Sequence, residues 1–338
     1  MRRWLLFMAL LLLLFCTACS GNVTVKPWAD LHMPGVTKIP GIEGLQDHES
    51  IDRVYSAMTY SSSLDGNAIH VLFENGQKVY DMRLDGSQLH PVALPCSDSV
   101  AVAPGGQWVA CRAQYDIVLH DLAYPEPDIT LTGAGEYPGY PTWAPDGHHL
   151  AAVVRLGDVC SIAVFDISFA SGTNHLIALL GLPRFTDREP TGIGCSSAGL
   201  TWSPDGTQIA FIDIDTRTLY SMPVASLHLL TRSDTLSPIN QQILGDQLLE
   251  LGRCGLNGSL TWMPSSHLLT YVDFLGWNID QIDVATHDKT TLLAQHSAGI
   301  FGLSWTPDGK HLLFVLGLTS DELIVPPSQL YLYSPTAT

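Results

Sequence analysis

Basic side chains are scarce in this chain. Sixteen Lys and Arg stand against thirty-three Asp and Glu, a formal net charge of −17. A surface of that sign repels phosphate backbones, which excludes nucleic acid as a partner and leaves solubility as the use of the acidity. Charged residues of all kinds make up only 14% of the 338 residues, against roughly a quarter in ordinary globular domains. No apolar run is long enough to cross a bilayer as a helix; the longest, Trp4 to Phe15, has twelve residues. Cys96, Cys111, Cys160, Cys195 and Cys254, the cysteines beyond the N-terminal segment, show no C-x-x-C spacing, so no zinc site is expected. There is no G-x-S-x-G nucleophile elbow, no H-E-x-x-H and no phosphate-binding loop. The thirteen histidines are scattered. These absences leave no catalytic set, no metal and no cofactor to expect.

The first nineteen residues carry a sharp local pattern. Arg2 and Arg3 precede the twelve-residue apolar run, as in the charged and apolar regions of a signal peptide. Cys16-Thr17-Ala18-Cys19-Ser20 follows and resembles a bacterial lipobox, in which small residues precede a cysteine that is acylated and becomes the new N-terminus. Cys19 fits that position, with Cys16 where such motifs usually carry Leu. The resemblance implies residues 1–18 as signal peptide, lipidation at Cys19, and export to the extracytoplasmic face of a membrane. Residues 19–35 lack periodicity and read as a tether. Cleavage removes two Arg and no acid, taking the net charge from −17 to −19.

From residue 36 onward short β-rich runs alternate with Gly, Pro, Asp and Ser turns. Aligned on its turns the chain repeats: WAPDGHHLAAV (143–153), WSPDGTQIAFI (202–212) and WTPDGKHLLFV (305–315) are clear copies. WMPSSHLLTYV (262–272), VAPGGQWVACR (102–112) and SSLDGNAIHVL (62–72) are weaker ones. Most intervals are close to 40 residues, the length of a four-stranded propeller blade. Two longer intervals place insertions within 169–198 and 226–258, and 227–251 has room for a short helix. Apolar residues before the turn form an inner strand, Asp-Gly closes a tight hairpin, and an alternating second strand follows. Third strands are expected at 78–84, 117–122, 162–168, 218–224, 281–286 and 329–334, and a fourth, as at 290–295, before the next repeat. The last copy ends soon after its third strand, and GVTKIPGI (35–42) can supply its outer strand. The fold predicted for residues 36–338 is an all-β, six-bladed propeller of four-stranded antiparallel blades, closed by an N-terminal strand.

This repeat resembles that of TolB-like propellers, relatives of the WD-type blades, over residues 36–338. The resemblance implies an extracytoplasmic propeller that works by protein–protein contact. It does not extend to the N-terminal α/β domain of TolB, so the Tol partner role is not expected to transfer. Trp143, Trp202, Trp262 and Trp305 are expected between blades, and Asp146, Asp205 and Asp308 in turns.

Segments leading into the inner strands should converge at one mouth of the channel. They contribute Tyr137, Tyr140, Ser196, Asn257, Ser259 and His296 as candidate binding residues. His149 and His311 occupy equivalent repeat positions after the turn, and Asp213, Asp215 and Asp273 lie where second strands end; all are read as solvated loop positions rather than metal ligands. Cys96 with Cys111, and Cys160 with Cys195, are the expected disulfides, with Cys254 free and Cys195–Cys254 as the alternative to the second pair. The function expected is a monomeric, lipid-anchored binding scaffold for an envelope protein or surface ligand. The alternative is a hydrolase or lyase with carboxylates and a histidine at the channel mouth.

Overall fold

The computed structural model describes residues 33–335 apart from 43–44, 46–50, 60–67, 76–77, 97, 115, 123–127, 132–140, 157–158, 170–172, 182–198, 214–216, 225–248, 255–258, 296–298 and 321–322. Gly35–Thr338 forms one compact unit, and its described strands make six four-stranded antiparallel sheets, the blades of a β-propeller.

Blade one comprises β2 (Ile51–Thr59), β3 (Ile69–Asn75), β4 (Lys78–Arg83) and β5 (His90–Val92). Blade two comprises β6 (Asp98–Val102), β7 (Trp108–Ala113), β8 (Asp116–Asp121) and β9 (Ile129–Leu131). Blade three comprises β10 (Pro141–Trp143), β11 (His149–Leu156), β12 (Val159–Ser168) and β13 (Thr173–Gly181). Blade four comprises β14 (Leu200–Trp202), β15 (Gln208–Asp213), β16 (Thr218–Pro223) and β17 (Leu249–Arg253). Blade five comprises β18 (Leu260–Trp262), β19 (Leu268–Val272), β20 (Asn278–Asp283) and β21 (Lys289–Ala294). Blade six takes β22 (Gly299–Trp305), β23 (Leu312–Ser320) and β24 (Leu323–Tyr333) from the C-terminal end, and its outer strand is β1 (Val36–Lys38).

The ring therefore closes as the sequence predicts, with Val36 opposite Tyr333 and Lys38 opposite Tyr331. The pairing is shorter than the 35–42 segment. After Ile39, whose amide donates to the Leu330 carbonyl, the chain crosses toward blade one. There Ile39, Ile42 and Leu45 pack with Val71, Phe73 and Met82 of blade one and Leu313, Val315 and Leu330 of blade six. The core is a set of such clusters, each between two neighbouring blades. Trp143, Phe165 and Leu150 of blade three meet Ile117, Leu119 and Ala110 of blade two, and Trp262 and Tyr271 of blade five meet Ile212 and Leu219 of blade four. The alternating residues of a second strand explain this: both faces of a blade are covered by neighbours, so both sets are apolar. In β11, Leu150 and Ala152 serve one neighbour while Ala151 and Val153 serve the other.

One sequence expectation is corrected and another is made more specific. The third strand of blade five is Asn278–Asp283, not 281–286; Asp283 Oδ1 accepts the amides of Ala285 and Thr286, which ends the strand in a turn. The long intervals are not insertions throughout, because they contain the fourth strands Thr173–Gly181 and Leu249–Arg253. The helix considered over 227–251 lies mostly outside the described residues, and its last three positions belong to β17.

Cys96, just before β6, is bridged to Cys111 of β7, with Cα atoms 5.9 Å apart. Cys254 is a buried free thiol. Cys195 lies outside the described residues, as does the side chain of Cys160, and so does Cys19.

Candidate functional site: the central channel

Each inner strand of blades two to six aligns a short, small or hydroxylated residue at the same register. Thr142 faces Ala151, Thr201 faces Ala210, Thr261 faces Thr270, Ser304 faces Leu313 and Ala101 faces Ala110. In four of these five strands the next residue is the repeat Trp. Strand alternation sends that indole between blades and the preceding hydroxyl to the axis. Trp143, Trp202, Trp262 and Trp305 are all buried, while Thr142, Thr201 and Thr261 keep partial exposure. The indoles tie blades together: Trp143 Nε1 donates to the Ala101 carbonyl at 3.2 Å, and Trp305 Nε1 donates to Thr270 Oγ1 at 3.0 Å.

The hydroxyls line an axial cavity of about 490 Å³. Its wall includes Thr142, Thr201, Thr261 and Ser304, and it reaches Pro104, Gly105 and Pro307. Those three lie in the turns between first and second strands, so the cavity extends toward the Asp-Gly end of the channel. The candidate mouth of the sequence analysis is at the other end. Tyr137, Tyr140, Ser196, Asn257 and His296 fall outside the described residues. Ser259 is described and has a structural task. Its Oγ accepts the Gly302 amide at 2.8 Å, joining the approach to β18 with a bulge in β22.

No described residue of the cavity wall is ionisable. Among the described residues the buried carboxylates lie on third strands instead. Asp81 meets His70 Nδ1 at 3.0 Å across blade one, and Asp121 accepts from Gln107 Nε2 at 2.9 Å. Asp280 accepts from Thr291 Oγ1 at 2.7 Å and from Lys289 Nζ at 2.8 Å. Burial, the largest single influence, would lower the Lys289 pKa, but the hydrogen bond to Asp280, the Tyr271 hydroxyl and the Asp280 charge together outweigh it and hold the ammonium above its usual range. Lys289 also lies over the ring of Tyr271, whose hydroxyl burial pushes up.

The turn carboxylates are occupied by their own backbones. Asp205 accepts the Ser203 hydroxyl and the Thr207 amide and hydroxyl, and Asp308 accepts the Thr306 hydroxyl and the Lys310 amide. These bonds hold both carboxyls below their ordinary value, the serine or threonine hydroxyl contributing most. At Asp146 burial raises the pKa, and the amides of His148 and His149 with the His149 ring more than offset it. His149 thus pairs with Asp146, and His311 Nδ1 meets Ser334 Oγ at 2.8 Å. Asp273 caps the β19–β20 turn by accepting the Trp277 and Asn278 amides. The side chain of Asp213, and Asp215, lie outside the described residues. Among the described residues no group of three or more His, Cys, Asp or Glu is placed to hold a metal.

The channel hydroxyls are the site residues that sequence reading missed. Their signal was present in the Thr-Trp of 142–143, 201–202 and 261–262 and the Ser-Trp of 304–305, one position before the repeat marker.

Solved structures match this architecture along most of its length. A TolB-type protein of Agrobacterium tumefaciens superposes with a TM-score of 0.50 at 15% identity, covering 86% of this chain and 91% of that one. The fold is that of a TolB-like propeller. Regucalcin, a calcium-binding protein of the same organism, superposes with a TM-score of 0.50 at 12% identity, covering 85% of this chain and 91% of its own. No family model matches the chain, and no curated protein matches it by sequence.

Proposed function

We propose that this chain is an exported, lipid-anchored binding scaffold that takes a partner segment or uncharged ligand into its axial channel. The observation that carries this reading is the cavity wall. Hydroxyls repeat at one register from four blades, with Pro, Ala, Leu and Trp around them and no ionisable side chain among the described lining residues. Hydrolysis or lyase chemistry by acid and base needs titratable groups at the reacting atoms. Binding of a neutral hydrogen-bonding group needs only donors and acceptors in an enclosed site. The anchor is supported by the charged start, short apolar run and Cys19 motif of the N-terminus. The calcium binding named for regucalcin is not carried over, since no described cluster here offers the several oxygens that cation takes.

The test is substitution of Thr142→Val, Thr201→Val and Thr261→Val together. Each keeps side-chain shape and removes a hydroxyl. The folded protein should retain its melting temperature within a few degrees, while partners crosslinked to the wild type in membranes no longer co-purify. Unchanged capture would reject the channel as the binding site. Turnover of a substrate by the purified protein would replace this reading with the enzymatic one.

A further inference from the structure

Blade two departs from the repeat where it meets the axis. Val102 stands where blades three to six carry the repeat Trp, and Ala101 stands at the hydroxyl position. Yet Val100 to Gly105 form a continuous stretch of the cavity wall, the longest that any blade contributes among the described residues. A covalent bond fixes this strand instead of an indole. Cys96, just before β6, is bridged to Cys111 of β7.

The bridge coincides with an irregularity of the strand. Ala101 faces Ala110 and Asp98 faces Arg112, so Ser99 and Val100 together stand opposite Cys111, a β-bulge at the bridged cysteine. Ser99 takes a φ of 56°, in the left-handed region that a residue with a Cβ enters only at a cost. A strand continued back from Asp98 in its own register would place Cys96 opposite Gln114, whereas its Cα lies 5.9 Å from that of Cys111. The bridge thus holds the chain entering β6 out of that register, and the bulge takes up the extra residue. Cys96 is half-buried and Cys111 fully buried, so solvent reaches the bond from the Cys96 side. The strand is also coupled to its neighbour: Trp143 of blade three, itself a wall residue, donates from Nε1 to the Ala101 carbonyl.

We infer that the Cys96–Cys111 bridge is a redox-set latch on the channel wall, opened by a dithiol. A thiolate of the dithiol attacks the Cys96 sulfur, and the Cys111 sulfur leaves as a thiolate and is protonated. The second thiol then attacks the dithiol's own sulfur in the mixed disulfide and releases Cys96. The dithiol ends as a disulfide, and its two electrons and two protons end on the two cysteines. Freed of the bond, Ser99 leaves the left-handed region for the extended one, opposite Arg112, and Val100 and Ala101 shift with it. A short slip of this kind changes which atoms a strand presents. The Trp143 bond carries the shift to blade three, so the wall changes on two blades while the other four keep their form. The use of the latch rests on the channel reading: the oxidised protein presents the binding cavity, and reduction withdraws it.

The full protein is equilibrated in mixtures of reduced and oxidised dithiothreitol, and alkylation of Cys96 and Cys111 is read by peptide mass. Ser99→Gly removes the cost of the left-handed conformation and adds one to the extended strand. It should need about tenfold more reduced dithiothreitol to reach half-reduction. Ser99→Ala, which loses the hydroxyl and keeps the Cβ, should stay close to the wild type. Equal midpoints for wild type and Ser99→Gly overturn the latch, and so does Ser99→Ala moving as far as Ser99→Gly. The second readout is the indole N–H resonance of Trp143, assigned by its loss in Trp143→Phe. Reduction should move it and leave that of Trp305 in place, with the near-ultraviolet circular dichroism retained. An unmoved Trp143 resonance, or loss of the folded spectrum on reduction, makes the bridge a plain staple and overturns the latch. Both readouts need no partner, so failure of the threonine test leaves them standing, and their failure leaves that test untouched. Equal capture of crosslinked partners by oxidised and reduced protein overturns the regulatory use.

Discussion

Single side chains settle how tightly neighbouring blades are joined. Thr270 Oγ1 accepts from both Trp305 Nε1 and Gln281 Nε2, at 3.0 and 3.1 Å, in a buried site. The equivalent positions in blades four and three are Ala210 and Ala151, and there the buried Nε1 atoms of Trp262 and Trp202 find no acceptor among the described residues. Thr270→Val should therefore leave two buried donors without their acceptor and cost about 1–3 kcal/mol, read as a lower urea midpoint with an unchanged slope. The turn carboxylates give a pH prediction of definite sign. Asp146, Asp205 and Asp308 have folded-state values below the ordinary 3.8. Their contribution is complete above that value and is lost as pH falls through the lower folded ones. Carboxyl resonances followed by NMR should titrate below free aspartate at all three. The roles of Trp and Asp were legible in the sequence because they recur at a fixed spacing. The role of Thr270 was not, because it depends on register between two blades and appears in only one of them.

At the level of elements, the closing strand is held by very little, and two glycines hold it in place. Gly41 and Gly86 take φ values of 87° and 84°, and a Cβ on Gly86 would sit 2.2 Å from the Pro40 carbonyl oxygen. The backbone after β1 thus lies directly on the β4–β5 turn of blade one. Gly86→Val should lower stability by about 2 kcal/mol or more, since it adds both a backbone strain and a clash with main chain that cannot yield locally. The check is thermal unfolding followed by near-ultraviolet circular dichroism. The Cys96–Cys111 bridge closes a short loop at the start of blade two, with a sequence separation of 15. Its reduction should cost about 3 kcal/mol and lower the melting temperature measurably in thiol. The closing strand was legible because a propeller with an incomplete last sheet must find a fourth strand elsewhere. Its length was not, because Pro40 and Gly41 end the pairing for a reason that lies in blade one. Strands β13 and β17 were hidden because interval length alone cannot separate a long loop from a displaced fourth strand.

The molecule as a whole is a ring whose two ends of the chain meet in one sheet. Val36→Gly with Thr37→Pro and Lys38→Gly would unpair β1 and expose the backbone edge of β24. The variant should self-associate with rising concentration in sedimentation velocity more strongly than the wild type measured alongside it. The channel site was partly legible at this scale: an axis lined by inner strands follows from the repeat, but the hydroxyl ring needs the pleat to show which residue of each Thr-Trp pair points inward. The meeting of the two ends also sets an order of events during biogenesis. Residues 36 and 333 are nearly 300 positions apart, so the segment synthesised first must wait for the last segment before it can pair. Until then five sheets can form while the sixth presents an open edge. Such long-range pairings form late and slowly. Truncation near the C-terminus would therefore leave β1 without its partner, and the edge of the sixth sheet stays open for as long as the final forty residues have not been made.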